Sequence, residues 1–149
     1  MKRQIKYIFV HCTASRQTWS VDALLKEFSN KGWHYPGYHH VVEANGKITQ
    51  LMTEDLPSNG VKGHNHEAIN VAYMGGISRT GKPIDNRTPE QKASLRKLLT
   101  ELKQRYPDAK ILGHRDISPD LNHNGKVDVW ERIKACPCFD AIPEYADIK

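Results

Sequence analysis

The sequence predicts an α/β domain with a central mixed β-sheet flanked by helices. Three observations lead there. Short β-branched apolar runs alternate with stretches of helical periodicity, in the order strand, helix, two strands, strand, helix, strand. The chain has 149 residues, the length of one domain with one core. Its composition, 38% hydrophobic and 26% charged, is that of a globular protein. There is no internal repeat, linker or low-complexity tract, so residues 1–149 read as a single domain.

Ile5 to Val10 is a short apolar run with the make-up of a buried strand, and it stops abruptly in His11, Cys12 and small polar residues. Ser20 caps a helix that opens at Val21, with Trp19 and Leu24 placed as a hydrophobic staple. Leu24, Leu25 and Phe28 form its apolar face, and Gly32 ends it. Pro36-Gly37 marks a turn. Tyr38 to Val42 reads as a strand, joined through Ala44-Asn45-Gly46 to a partner strand over Lys47 to Gln50. Residues 52–68 are polar and His-rich and read as a long surface loop, a common place for function. Ile69 to Tyr73 is a further short strand, and residues 75–87 are turn-rich.

Thr88-Pro89-Glu90-Gln91 opens the clearest helix. Thr88 is the cap, Pro89 takes the first helical position and Gln91 completes a capping box. Leu95, Leu98, Leu99, Leu102 and Tyr106 follow a 3.6-residue period, and Pro107 stops the helix. Lys110 to Gly113 is a brief strand running into His114-Arg115-Asp116. The remainder of the chain is loop-rich, to a short segment after Phe139.

The formal net charge is +5, which favours acidic partners such as nucleic acid, an anionic cell wall or a membrane surface. The basic residues are scattered, so no nucleic-acid stripe emerges. No run approaches the ~18 apolar residues of a membrane span, and Tyr7 to Val10 is shorter than the ~7–15-residue core of a signal peptide. The expectation is a monomer held in the cytoplasm until released, or a secreted protein if a leader has been trimmed. Cys12, Cys136 and Cys138 are an odd set with a tight Cys-Pro-Cys, a poor disulfide framework that favours a metal or free thiols.

His11, His114 and Cys136 are the candidate zinc ligands. His11 and His114 each stand just past a predicted strand, where α/β pockets open. Zinc takes imidazole and thiolate, and a catalytic site uses three protein ligands with the fourth position open. The three are far apart in sequence, so no local spacing rule unites them. Two strand-end histidines and a buried thiol describe the same residues equally simply.

Four motifs then bear on the question together: Phe9-Val10-His11-Cys12-Thr13-Ala14, Gly37-Tyr38-His39-His40, Gly113-His114-Arg115-Asp116, and Lys134-Ala135-Cys136-Pro137-Cys138-Phe139-Asp140. In this order they resemble the motifs of the zinc-dependent N-acetylmuramoyl-L-alanine amidases. That group includes phage lysozyme-like amidases and is similar in fold to the peptidoglycan recognition proteins. The resemblance spans nearly the whole chain. It implies zinc on His11, His114 and Cys136, Tyr38 as catalytic tyrosine and Lys134 as catalytic lysine. It also implies that Asn65 and His66 line a substrate groove for peptidoglycan or muropeptide, and His39 is taken as a third substrate-binding residue. His39, His40 and Asp116 are further candidates for orienting the ligands. Without the resemblance, Tyr38 is a strand aromatic and Lys134 a solvated surface lysine. Gly60 departs from the family's pattern, standing where related phage enzymes tend to carry histidine. Asn70 departs too, standing where glycine is usual.

The implied chemistry is hydrolysis of the amide between N-acetylmuramic acid and L-alanine. Zinc lowers the pKa of water from ~15.7 towards ~7, and Tyr38 and Lys134 stabilise charge on the carbonyl oxygen. A wall-binding module of the same fold without catalysis is the alternative, and the presence of Cys136, Tyr38 and Lys134 together argues against it. A regulatory protein partner stays open, since similar phage amidases also bind a polymerase; no surface in the sequence identifies one.

A separate motif covers residues 120–131. Asp120, Asn122, Asn124, Asp128 and Glu131 supply side-chain oxygens at EF-hand loop positions, Lys126 occupies the backbone-carbonyl position, and Gly125 permits the sharp turn. Pro119 leaves no room for an entering helix. The expectation is a structural calcium, set against an Asn/Gly-rich turn that only looks like such a loop.

Overall fold

Strand β1, Tyr7–Cys12, is buried along nearly its whole length and forms the middle of the molecule. The computed structural model describes residues 3–33, 35–61, 63–117 and 136–148. Four further strands join β1: β2 (His40–Val42), β3 (Ile48–Gln50), β4 (Ala68–Tyr73) and β5 (Lys110–Gly113). The sheet order is β3-β2-β4-β1-β5. β1 runs parallel to both β4 and β5, β2 is parallel to β4, and only β2–β3 is antiparallel. The sheet is therefore mixed, as expected. Flanked by parallel neighbours and covered on both faces, β1 has to be apolar at successive positions rather than at alternate ones.

Each face takes a different helix. Helix α2, Pro89–Arg105, lays Leu95, Leu98, Leu99 and Leu102 over Ile8, Val10, Ile69, Val71 and Tyr73. Burying each of those leucines is worth roughly 1.5–3 kcal/mol. Helix α1, Val21–Asn30, sets Leu24 and Phe28 against Val41, Ala72 and Met74 on the opposite face, with Trp19 and Tyr38 packed alongside. A third cluster on that face joins Phe9, Val61 and Ala68.

The helix signals read from the sequence are realised. Ser20 accepts from the Ala23 N–H at 3.1 Å. The Thr88 hydroxyl accepts from the Gln91 N–H at 3.0 Å, and the Gln91 carboxamide accepts from the Thr88 N–H at 2.9 Å. Gln91 does more than cap. Its amide nitrogen donates to the Val42 and Met74 carbonyls, tying the start of α2 to the ends of two strands.

Boundaries moved where tertiary contacts decide them. The hydrogen-bonded part of β2 begins at His40, leaving Tyr38 outside the ladder. β4 begins at Ala68, because the 52–68 loop closes in a 3₁₀ turn over Asn65–Glu67 that feeds directly into the strand. A one-turn helix, α3 (Ala141–Glu144), ends the described chain. It is held by Arg87, whose guanidinium pairs with Asp85 and Glu144 and lies 3.4 Å from the Phe139 ring centroid.

Candidate metal centre

The parallel register brings the two histidines together. Val10 of β1 pairs with Gly113 of β5, so both strands end on the same edge of the sheet, and His11 and His114 are the next residues along. The two imidazole centroids lie 4.9 Å apart. His114 starts a 3₁₀ turn through Ile117, and the Asp116 carboxylate steadies that turn by accepting the Gly113 N–H at 2.8 Å.

Cys136 arrives from the far end of the chain and is fixed by backbone groups. The Cys12 N–H donates to its sulfur at 3.0 Å, and the Arg115 N–H donates to its carbonyl at 2.9 Å. The Tyr73 hydroxyl donates to the Pro137 carbonyl at 2.6 Å. Gly113 is required for this approach: a Cβ there would sit 2.7 Å from Pro137 Cδ. Arg115 adds an ion pair with Asp140.

The outcome is a three-residue cluster. One ligand atom from each of His11, His114 and Cys136 lies within 4.8 Å of the others, and this is the group of metal-capable side chains found among the described residues. Imidazole and thiolate are both donors that zinc accepts, and three protein donors leave a fourth position open. Burial pushes the His11 imidazole down to about 4, against the pull of its hydrogen bond to Asn70. At neutral pH it is uncharged, the form that binds metal. Hydrogen bonding with Cys136 leads the causes that push the Cys12 thiol up to about 12, so at neutral pH that neighbour stays a thiol. Cys12 is buried, and Cys138 is outside the cluster with its sulfur 3.9 Å from that of Cys12. All three cysteines are free.

Tyr38 borders the cluster. Its ring lies 5.2 Å from that of His11, and its hydroxyl donates to the Cys12 carbonyl at 3.2 Å. Burial first, then the neighbouring Cys136 and Cys12, raises the phenol well above its ordinary value, so the hydroxyl keeps its proton at neutral pH.

The remaining expected site residues are spread more widely. Asn65 braces its own loop, its side-chain oxygen accepting the Val61 N–H at 2.7 Å. The His66 ring is exposed, 3.7 Å from Glu67. His39 is fully buried and both ring nitrogens face partners inside the protein: Nδ1 accepts from the Asn70 N–H at 3.0 Å, and Nε2 donates to the Leu56 carbonyl at 2.7 Å. His40 shares the α2 face with Val42 and pairs with Glu54 at 2.7 Å, away from His11. Lys134 and the 120–131 segment, with its Asp120, Asn122, Asn124, Lys126, Asp128 and Glu131, lie outside the described residues. A concavity between Arg3, Ile5, Glu54, Asp55, Arg105 and Tyr106 contains none of His11, His114 and Cys136.

One residue of the site was not picked out for a role from sequence. The Asn70 side-chain oxygen lies 2.8 Å from His11 Nε2, within hydrogen-bond distance. The available signal was an amide in the middle of the apolar run Ile69 to Tyr73, where a buried polar group demands a partner.

The chain is similar to known proteins in both sequence and fold. The family model described as N-acetylmuramoyl-L-alanine amidase matches residues 1–138. The endolysin of Klebsiella phage KP32 is 33% identical over 141 residues, covering 93% of this chain and 84% of that protein. The N-acetylmuramoyl-L-alanine amidase LysC from Clostridium intestinale URNW has a similar fold, with a TM-score of 0.75 at 20% identity over 99% of this chain and 88% of that one. Drosophila PGRP-LB is similar at a TM-score of 0.69 and 14% identity, over 99% and 82% of the two chains.

Proposed function

Because the chain belongs to the N-acetylmuramoyl-L-alanine amidase family, we propose that it is a zinc-dependent hydrolase. Its target is the amide bond between N-acetylmuramic acid and the L-alanine of the peptidoglycan stem peptide. One observation carries the zinc part of the reading: His11, His114 and Cys136, distant in sequence, present ligand atoms within 4.8 Å of one another.

These three residues would hold the ion, which supplies Lewis acidity for activating water and polarising the amide carbonyl. The protein's own groups do the rest. The Cys12 N–H donates to the Cys136 sulfur and holds it beside the end of β1. Tyr38, protonated and beside His11, is positioned to turn its hydroxyl from the Cys12 carbonyl to the oxygen of the scissile amide, where negative charge grows. Lys134 is assigned the same task on sequence resemblance alone. His66 and Asn65 are proposed to border the groove that takes the glycan and peptide. The net charge of +5 suits an anionic wall. No helix among the described residues is long and apolar enough to cross a membrane. Calcium on the 120–131 loop is proposed from the sequence motif alone.

X-ray fluorescence of the purified protein reads both metals, and one zinc per chain is expected. Purified sacculi then report release of new amino termini with and without a zinc chelator. Release that survives removal of the metal would overturn the zinc reading, and no release from any wall preparation would overturn the hydrolase.

A further inference from the structure

We infer that Asn70 is the positioning residue for His11: it dictates which imidazole nitrogen carries the proton and which is left for the metal. The inference rests on the zinc reading above.

Asn70 is an unusual occupant of its position. It lies in the middle of β4, fully buried, where an amide is disfavoured unless every polar atom is paired. All of them are. The backbone carbonyl accepts from the His39 N–H at 2.8 Å, and the backbone N–H donates to His39 Nδ1 at 3.0 Å. The side-chain Nδ2 donates to Ser58 Oγ at 2.7 Å, and Oδ1 meets His11 Nε2 at 2.8 Å. Strand alternation puts Phe9 and His11 of β1 on the same face as Ala68, Asn70 and Ala72 of β4, so the amide reaches His11 across one strand spacing.

The direction of each bond is set by one fixed donor. A backbone N–H can only donate, so His39 Nδ1 is an acceptor. The Ser58 hydroxyl, 3.3 Å from that same nitrogen, can approach it only as a donor and shares the lone pair that the Asn70 N–H engages at 3.0 Å. Its oxygen is then free to receive the Asn70 NH₂ group. That turns the amide oxygen towards His11, and an amide oxygen can only accept. His11 consequently carries its proton on Nε2 and keeps the lone pair on Nδ1. A ligand histidine whose other nitrogen donates to an oxygen is the arrangement that fixes ring orientation and strengthens the donor atom.

The amide fits only because residue 60 has no side chain. A Cβ on Gly60 would lie 2.3 Å from Asn70 Cγ, 2.4 Å from Oδ1 and 2.6 Å from Nδ2. Gly60 and Asn70, ten positions apart in sequence, thus share one packing site. The room left by the first is filled by the second, and the second holds the metal ligand.

The test uses the intact protein, first as isolated and then as variants. Long-range ¹H–¹⁵N spectra of the imidazoles are expected to show His11 protonated on Nε2 in both the metal-free and zinc-loaded protein. A His11 protonated on Nδ1, or bound to zinc through Nε2, overturns the inference without any substitution. Competition with a chromophoric chelator is expected to show zinc held roughly 10–100-fold more weakly in Asn70→Leu and in Gly60→Ala, which displaces the amide without deleting it. Asn70→Asp, which keeps an acceptor oxygen, should recover most of that affinity. Folded variants that hold zinc as tightly as the parent overturn the role of Asn70 alone. A parent protein that takes up no zinc overturns the zinc reading, and this role with it.

Discussion

The Cys12 backbone N–H donates to the Cys136 sulfur at 3.0 Å, joining the end of the central strand to a residue 124 positions away. The contact ties the third candidate ligand to the strand that carries the first. Cys136→Ser removes the soft donor while leaving a side chain of similar size. Zinc content measured by X-ray fluorescence should fall well below one per chain. Sacculus hydrolysis should drop by more than the roughly 10–100-fold that loss of an outer partner causes. A variant that keeps both would exclude Cys136 as a ligand.

Tyr38→Phe separates packing from chemistry. The ring contacts with His11 and Phe28 remain, and only the hydroxyl that donates to the Cys12 carbonyl is lost. Stability should change by about 1 kcal/mol. Turnover on muropeptide should fall ~10²–10³-fold with zinc content unchanged. Unchanged turnover would remove Tyr38 from the catalytic group.

Gln91 joins the N-terminus of α2 to the Val42 and Met74 carbonyls while closing the capping box. Gln91→Ala strips the cap and leaves two buried strand-end carbonyls short of a donor. The expected cost is about 2–3 kcal/mol, read as a lower urea midpoint at constant slope. A loss below about 0.5 kcal/mol would show that the helix is anchored by its leucines alone.

Glu54 predicts an acid limit to stability. Burial raises its carboxyl, but hydrogen bonds from His40, Arg105 and Tyr106 outweigh that and hold it at about 2, below the ordinary 4.5. Its side chain is 13% exposed. A depressed carboxylate stabilises the fold fully above the ordinary value and loses that contribution as pH falls to the folded one. The stability gap between the parent protein and Glu54→Gln should therefore narrow from pH about 4.5 towards about 2, by up to roughly 3 kcal/mol. A gap that stays constant over that range would contradict the assignment.

Much of this protein was readable in the sequence because its signals are local. Ser20 and Thr88 cap the helices they precede, the leucines of α2 repeat with its turn, and Asn45-Gly46 joins β2 to β3. Each depends on neighbours a few residues away, so chain order is enough. The residues His11, Tyr38, His114 and Cys136 are named from the resemblance of four short motifs, which also implies that they share one site. The geometry of their convergence is decided by the fold. It arises because β1 lies between two parallel partners with Val10 opposite Gly113, a register set by long-range burial rather than by any local pattern. Face assignment belongs to the same class. His39 and His40 are adjacent in sequence, yet one joins the polar chain that reaches His11 and the other pairs with Glu54 on the α2 side. Only the tertiary structure could show that Asn70 occupies the space Gly60 leaves open. Contact between residues ten apart, across a loop and a strand, is decided by how the backbone closes and leaves no periodic trace in the chain.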